Sequence, residues 1–205
     1  MKALFSPRAL VAAAATLALS GCLNLKPAQQ SAKYYVLSPS VPAATNSAPA
    51  PGAIGVAQTK LPDYLFRDAF AVRKSNNEIN FLLMDSWAER LNVGFQRVLA
   101  ADLSARVPAQ IRLSEWRMAD VTAGVYVTVE QFDVDEQGQG VLVAWWRVVS
   151  PAGDKILKSG QFRAKLSGPV PGIDTKGAVA TLSALIGQLS EEIAAAVREA
   201  VPPRP

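Results

Sequence analysis

The hydrophobic rhythm of the chain changes several times, and each change marks an element. Residues 33–40, KYYVLSPS, gather aromatic and β-branched positions and read as a first strand. Residues 39–52, rich in Pro, Ala and Ser, cannot bury a core and are expected to form a flexible loop. AIGVAQTKLP (53–62) predicts a strand, and DAFAVRKSNNEINFLLM (68–84) a hairpin turning at Ser75-Asn76-Asn77. The period then lengthens. Trp87, Leu91, Phe95, Val98 and Leu99 recur at helical spacing, Ser86-x-x-Glu89 has the form of a capping box, and the helix is expected to run to about Arg106. After a short strand within 109–116, the segments 124–135, 140–150 and 154–168 are joined by the turn-like EQGQG and PAGD and predict an antiparallel meander. Residues 175–201 predict a second helix, with Asp174 as N-cap and Leu182, Ile186, Leu189, Ile193 and Val197 on one face. Strands in runs with two amphipathic helices imply an α+β domain, a largely antiparallel sheet with both helices packed against it.

The first 21 residues follow another logic. Lys2 and Arg8 precede an apolar run from Ala9 to Leu19, which is shorter than the ~20 residues that span a bilayer and has the layout of a secretory signal. Leu19-Ser20-Gly21-Cys22 resembles the bacterial lipobox, in which the cysteine is acylated and the signal cut just before it. Cys22 is the only cysteine of the chain, and an exported lone thiol has no internal disulfide partner. The alternative is an ordinary signal peptide followed by an incidental cysteine. Residues 1–21 are thus expected to be a lipoprotein signal peptide, 22–33 a lipidated cysteine with its tether, 34–201 one domain, and 202–205 a tail. Two or more acyl chains anchor stably. In sorted bacterial lipoproteins, Asp after the cysteine goes with retention in the inner membrane. Leu23 and Asn24 stand here, so the similarity implies the outer membrane, facing the periplasm. Residues 23–33 reach at most about 36–40 Å when extended, and the domain is expected to float near its membrane without lying on it.

Composition narrows the chemistry. The chain has no histidine, and its one cysteine is assigned to the anchor, which removes Ser-His-Asp and Cys-His catalysis, His-ligated zinc and thiolate metal sites. There is no Gly-rich phosphate loop and no SxxK motif. Lys2 and Arg8 are two of 21 basic residues against 17 acidic ones, so the mature chain lies within two charges of neutrality and carries no signature of a nucleic-acid binder. Asp133, Asp135, Gln137 and Gly138 match the first positions of a calcium loop, but Ala144 stands where a bidentate Glu is needed; a solvated hairpin turn is expected. Asp63, Asp68, Asp85, Glu89, Asp120 and Glu130 are scattered. A binding protein without cofactor or metal, not an enzyme, is the resulting expectation. In VLVAWWRVV both strand faces are apolar, Val141, Val143 and Trp145 on one and Leu142, Ala144, Trp146 and Val148 on the other. This predicts a central core strand, or one with a side facing a partner or lipid.

The order Leu61-Pro62-x-Tyr64-Leu65, then Arg67, a strand ending in Val72-Arg73, and Trp87-Ala88-Glu89-x-Leu91 resembles the ABC-type transport auxiliary lipoproteins, the PqiC-like family. Tyr34-Tyr35, VEQFDVD, VLVAWWRV and LSALIGQLSEEIAAAV fit the same pattern, which covers nearly all of the mature chain. That family often has Pro after the Ala-Glu pair, where this chain has Arg90. The resemblance implies a partner, an MCE-domain protein that spans the periplasm in a Pqi-like intermembrane lipid transport system, and a role in docking or tethering; the ring form of such assemblies leaves room for homo-oligomers. Leu61, Pro62, Tyr64, Phe66 and Arg67 form the candidate partner-binding element, since aromatics flank a proline where the strand pattern breaks. The competing structural role is a connecting turn packed on the core. Two rival functions stay open: a lipid-binding carrier or chaperone, which needs an enclosed apolar cavity between sheet and helices, and an envelope hydrolase, which needs converging carboxylates or a Ser-Lys pair.

Overall fold

The computed structural model describes residues 31–42, 52–113, 116–117 and 120–201; the signal peptide, Cys22, most of the tether, the middle of the Pro/Ala/Ser-rich segment and the 202–205 tail lie outside the described residues. The described elements are β1 (Lys33–Tyr35), β2 (Ala53–Val56), a 3-10 turn (Asp63–Phe66), β3 (Ala69–Ser75), β4 (Glu78–Trp87), α1 (Leu91–Arg106), β5 (Gln110–Leu113), β6 (Ala123–Asp135), β7 (Gln139–Val149), β8 (Ile156–Ser167) and α2 (Thr175–Ala200).

The expectation of a largely antiparallel sheet is corrected. The eight described strands form one mixed sheet. Only the hairpin-linked pairs β3/β4, β6/β7 and β7/β8 are antiparallel, whereas β1/β4, β2/β5, β2/β6 and β3/β6 are parallel. Short turns announce antiparallel neighbours, but a parallel pair needs a crossover, so its two strands lie far apart in sequence. Here β2 returns to pair with β5 only after the β3/β4 hairpin and α1. β6 organises the sheet: β7 lies along one edge, while β2 and β3 follow one another along the other, Ile54 opposite Ala123 and Val72 opposite Val134.

One irregularity in β6 sets what faces the helices. Strict alternation from Val125 would turn Gln131 and Asp133 into the core. The register instead shifts between Val129 and Gln131, so Phe132 and Val134 join Val125, Val127 and Val129 in the buried set and Asp133 turns to the other face. Phe132 meets Phe95 of α1 edge to face, ring centroids 5.2 Å apart. In β7 the two apolar faces separate as expected: Leu142, Ala144, Trp146 and Val148 are buried on one, while on the other Val143 is buried and Trp145 is half exposed. Trp146 lies across its cross-strand partner Gly160, where a Cβ would come within 2.7 Å of the indole, and donates from Nε1 to Glu192 of α2 at 2.6 Å.

The capping box does not form. β4 runs on through Trp87, whose ring packs 5.3 Å from that of Phe70, and 85–87 pair with β1, so Ser86 is a strand residue and α1 begins at Leu91. Glu89 instead forms an ion pair with Arg97 across the first turns of the helix. Asp174 does cap α2, accepting the Gly177 N–H at 2.9 Å. Leu182, Leu185, Ile186, Leu189, Ile193 and Val197 bury the predicted face of α2. Each large side chain so buried contributes about 1.5–3 kcal/mol.

After β1 the chain crosses the helices as a strap. Leu37 is buried, its carbonyl accepts from Arg97 at 2.9 Å, and the Ser38 N–H donates to Ser183 Oγ at 3.1 Å. Buried Asp102 of α1 accepts from the Ser40 and Val41 N–H groups at 2.9 and 3.1 Å and from Ser40 Oγ at 3.1 Å. The strap passes so close to α2 that a Cβ on Gly187 would stand 2.2 Å from Ser40 Oγ.

Candidate docking site

The candidate element Leu61–Arg67 is the link between β2 and β3, and the β6 edge dictates its shape. After β2 the chain keeps contact with β6 as far as Lys60, whose N–H donates to Val127 at 3.1 Å and whose carbonyl accepts from Val129 at 2.8 Å. Pro62 has no N–H to extend the ladder, so pairing stops there. Its carbonyl accepts the Leu65 N–H at 3.0 Å, closing the 3-10 turn.

The five predicted residues, together with Leu65 between them, divide into foundation and tip. Leu61 and Leu65 are buried in the hydrophobic core, Pro62 and Tyr64 are half-buried, and Phe66 and Arg67 are exposed, Phe66 at 53%. The Arg67 guanidinium lies 4.9 Å from the ring centre of Phe81 on β4, which holds the cation over an aromatic face. Phe66 and Arg67 line one side of a groove of about 390 Å³, closed on the other by Glu89, Arg90 and Leu91 at the start of α1.

The turn is fixed from beneath by a network that sequence reasoning did not assemble. Asp133, 2% exposed, receives the Arg73 guanidinium through Nε at 3.0 Å and Nη2 at 2.6 Å, the Tyr64 hydroxyl at 2.7 Å and the Gln131 amide at 2.9 Å. Burial, and then the Asp133 charge beside it, push the Tyr64 phenol well above its ordinary range. The Asp133 hydrogen bond likewise raises the affinity of Arg73 for its proton. The signal available in sequence was a carboxylate in an apolar strand, Phe132-Asp133-Val134. Its partner Arg73 is 60 residues away, and only the parallel β3/β6 pairing brings the two together.

The remaining sequence candidates are dispersed. Asp135 of the calcium-like stretch accepts the Gln137 and Gln139 N–H groups at 2.9 and 2.8 Å, shaping the β6/β7 hairpin, while Asp133 serves the network above. Asp85 accepts from Tyr35, and Glu130 from the Trp145 indole. Among the described residues no three His, Cys, Asp or Glu side chains converge. The arrangement at Leu61–Arg67 offers an aromatic side chain and a cation on a rigid base.

No helix among the described residues is long and apolar enough to cross a membrane. No curated protein matches the chain at a significant level. Among solved structures, one of an uncharacterised protein is 22% identical with a TM-score of 0.65, covering 80% of this chain and 97% of that one. A Xanthomonas campestris protein is 13% identical with a TM-score of 0.64, over 82% and 96%. Both likenesses are of fold. The PelC dodecamer of Paraburkholderia phytofirmans, 10% identical over 78% of this chain and 94% of that one, has a TM-score of 0.45, too loose to carry its assembly across. The family model described as the ABC-type transport auxiliary lipoprotein component matches residues 35–194, a span that runs from β1 through most of α2 and includes the whole Leu61–Arg67 turn. The chain therefore belongs to the ABC-type transport auxiliary lipoprotein family.

Proposed function

We propose that this lipoprotein is anchored through acylated Cys22 in the outer membrane, faces the periplasm, and docks the distal end of an MCE-type, Pqi-like transport assembly that moves lipid between membranes. It acts by binding, with no turnover of its own. The observation that supports docking is the built presentation of Phe66 and Arg67: two buried leucines and the Tyr64–Asp133–Arg73 network hold a turn whose tip makes one cation–π contact and is otherwise open. Aromatic and arginine anchors held rigid in the free protein bind with little ordering cost. A carrier that held an acyl chain between sheet and helices would have to displace Phe70, Phe95, Phe132, Leu99 and Leu185, all fully buried.

Crosslinked capture from intact envelopes tests this reading. The full chain should recover an MCE-domain protein. Phe66→Ser with Arg67→Glu, both exposed, should fold normally and lose that capture several-fold, and Cys22→Ala behind a cleavable signal peptide should weaken it. Recovery of no MCE-domain protein, or full capture by the double variant, would overturn the proposal. Copurifying phospholipid in place of a partner would favour the carrier.

A further inference from the structure

The anchor enters the domain at one end, and the residues gathered there are unusually apolar for a surface. The described chain begins at Ser31, and β1 pairs Lys33 with Asp85 and Tyr34 with Ser86 of β4. Tyr34 is 68% exposed, and Leu83, two residues before Asp85 on β4, is 86% exposed. The turn before α2 closes on the same end: a Cβ on Gly172 would lie 3.9 Å from Leu82, the Gly172 N–H donates to Thr175 Oγ1 at 3.0 Å, and the next residue, Ile173, is 87% exposed. At this end the Tyr35 hydroxyl donates to Asp85 at 2.7 Å. Two carboxylates of this end are thus engaged, Asp85 with Tyr35 and Asp174 as the cap of α2. Lys33 and Lys176 are exposed beside them.

Packing inside the chain does not account for Tyr34, Leu83 and Ile173. What distinguishes them is their place, around the point where a tether of only residues 23–30 separates the described domain from Cys22. That length spans at most about 29 Å when extended and far less on average. A chain that short keeps this end of the domain within reach of the leaflet that holds its acyl groups. We infer that Tyr34, Leu83 and Ile173, flanked by Lys33 and Lys176, form a membrane-contacting face that seats the domain on the phospholipid headgroups and shallow acyl region. Tyrosine and lysine suit that depth, because an apolar body meets hydrocarbon while the polar end stays at the headgroups. A domain so seated departs from the sequence-based expectation of one that floats near its membrane without lying on it. Such seating would fix which surfaces point into the periplasm. The inference rests on the lipid anchor at Cys22 proposed above.

The test uses the full lipidated chain in vesicles of phosphatidylethanolamine and phosphatidylglycerol. Acylation consumes the only native thiol, so an introduced cysteine is the sole labelling site. Leu83→Cys and Ile173→Cys carry an environment-sensitive fluorophore, and Gln161→Cys on β8, four strands from β4 and about 19 Å away at ordinary strand spacing, is the control. The inference expects blue-shifted emission at 83 and 173, quenched several-fold more than at 161 by shallow doxyl-labelled phospholipid. Flotation with the vesicles but quenching equal to the control would overturn the face and leave the anchor intact. A blue shift without lipid quenching would overturn it in favour of a second protein copy. Failure to float would overturn anchor and face together.

Discussion

Asp102 and Asp133 are both withdrawn from water, one on the helix side of the sheet and one on the opposite side, and each is satisfied by different means. Asp133 is held by side chains alone: a guanidinium fork, a phenol and an amide drawn from three parts of the chain. Asp102 is held largely by backbone N–H groups of the strap, with Arg106 a more distant partner at 3.6 Å. The difference reflects what each secures. A strap without regular structure has orphan N–H groups to satisfy, and a buried carboxylate takes two of them. The Leu61–Arg67 turn closes on its own Leu65 N–H to Pro62 bond and needs its position fixed, which a charge-assisted cluster does by geometry.

Removing Arg73 should have the largest consequence. Arg73→Met leaves Asp133, whose side chain is 1% exposed, without its counter-charge, and breaking one side of a buried pair costs about 3–5 kcal/mol. Urea unfolding should show that loss, and Arg73→Met with Asp133→Leu should recover most of it. A double variant no better than the single would mean that the cluster is held by something other than charge pairing.

Asp102→Asn comes next. The amide oxygen can still accept the Ser40 and Val41 N–H groups, but the oxygen that takes Ser40 Oγ becomes an NH2 and the charge is lost, and weakening hydrogen bonds to a charged group costs up to about 1.5–3 kcal/mol. The effect should also be local: limited proteolysis should cut near Ser40 and Val41 faster in the variant than its global stability explains. Equal protection of the strap in both proteins would show that Leu37 and Ser38 hold it without the carboxylate.

Neither aspartate could have been paired from sequence, and the reason is the one that hid the sheet's direction. The β6/β7/β8 meander was legible because its turns are a few residues long, and α2 because Leu182, Ile186 and Leu189 repeat at helical spacing below a capping Asp174. The parallel pairs β1/β4 and β3/β6 join segments with no local signal for one another, and both polar clusters depend on such distant placement: Ser40 meets Asp102, and Arg73 meets Asp133. The false capping box at Ser86 failed for a related reason. Pairing with β1 and the packing of Trp87 on Phe70 extended β4 through the residues that local pattern assigned to a helix start. The turn at Leu61–Arg67 was found because Pro62 interrupts a strand pattern, a local event.

Tyr64→Phe probes the same cluster most gently and separates its hydroxyl from its ring. The ring stays beside the Arg73 guanidinium, so the cost is the hydroxyl's bond to the carboxylate, with a longer one it accepts from Arg73 at 3.4 Å, about 1.5 kcal/mol at neutral pH. Its pH dependence is the sharper signature. Burial and Asp133 raise the folded pKa of Tyr64 above the ordinary value of 10.0, so its contribution is fully present below pH 10. Above that, the unfolded chain releases the phenolic proton while the folded chain retains it, and the contribution declines as pH rises toward the folded value. Wild type should therefore lose stability faster than Tyr64→Phe in alkaline urea melts, and the gap between them should narrow from about pH 10 upward. Tyr35, also raised, by burial and then by its bond to Asp85, is common to both chains and cancels in the difference. A gap that stayed constant through this range would mean that Tyr64 ionises as an ordinary surface phenol and that the turn is not seated on Asp133.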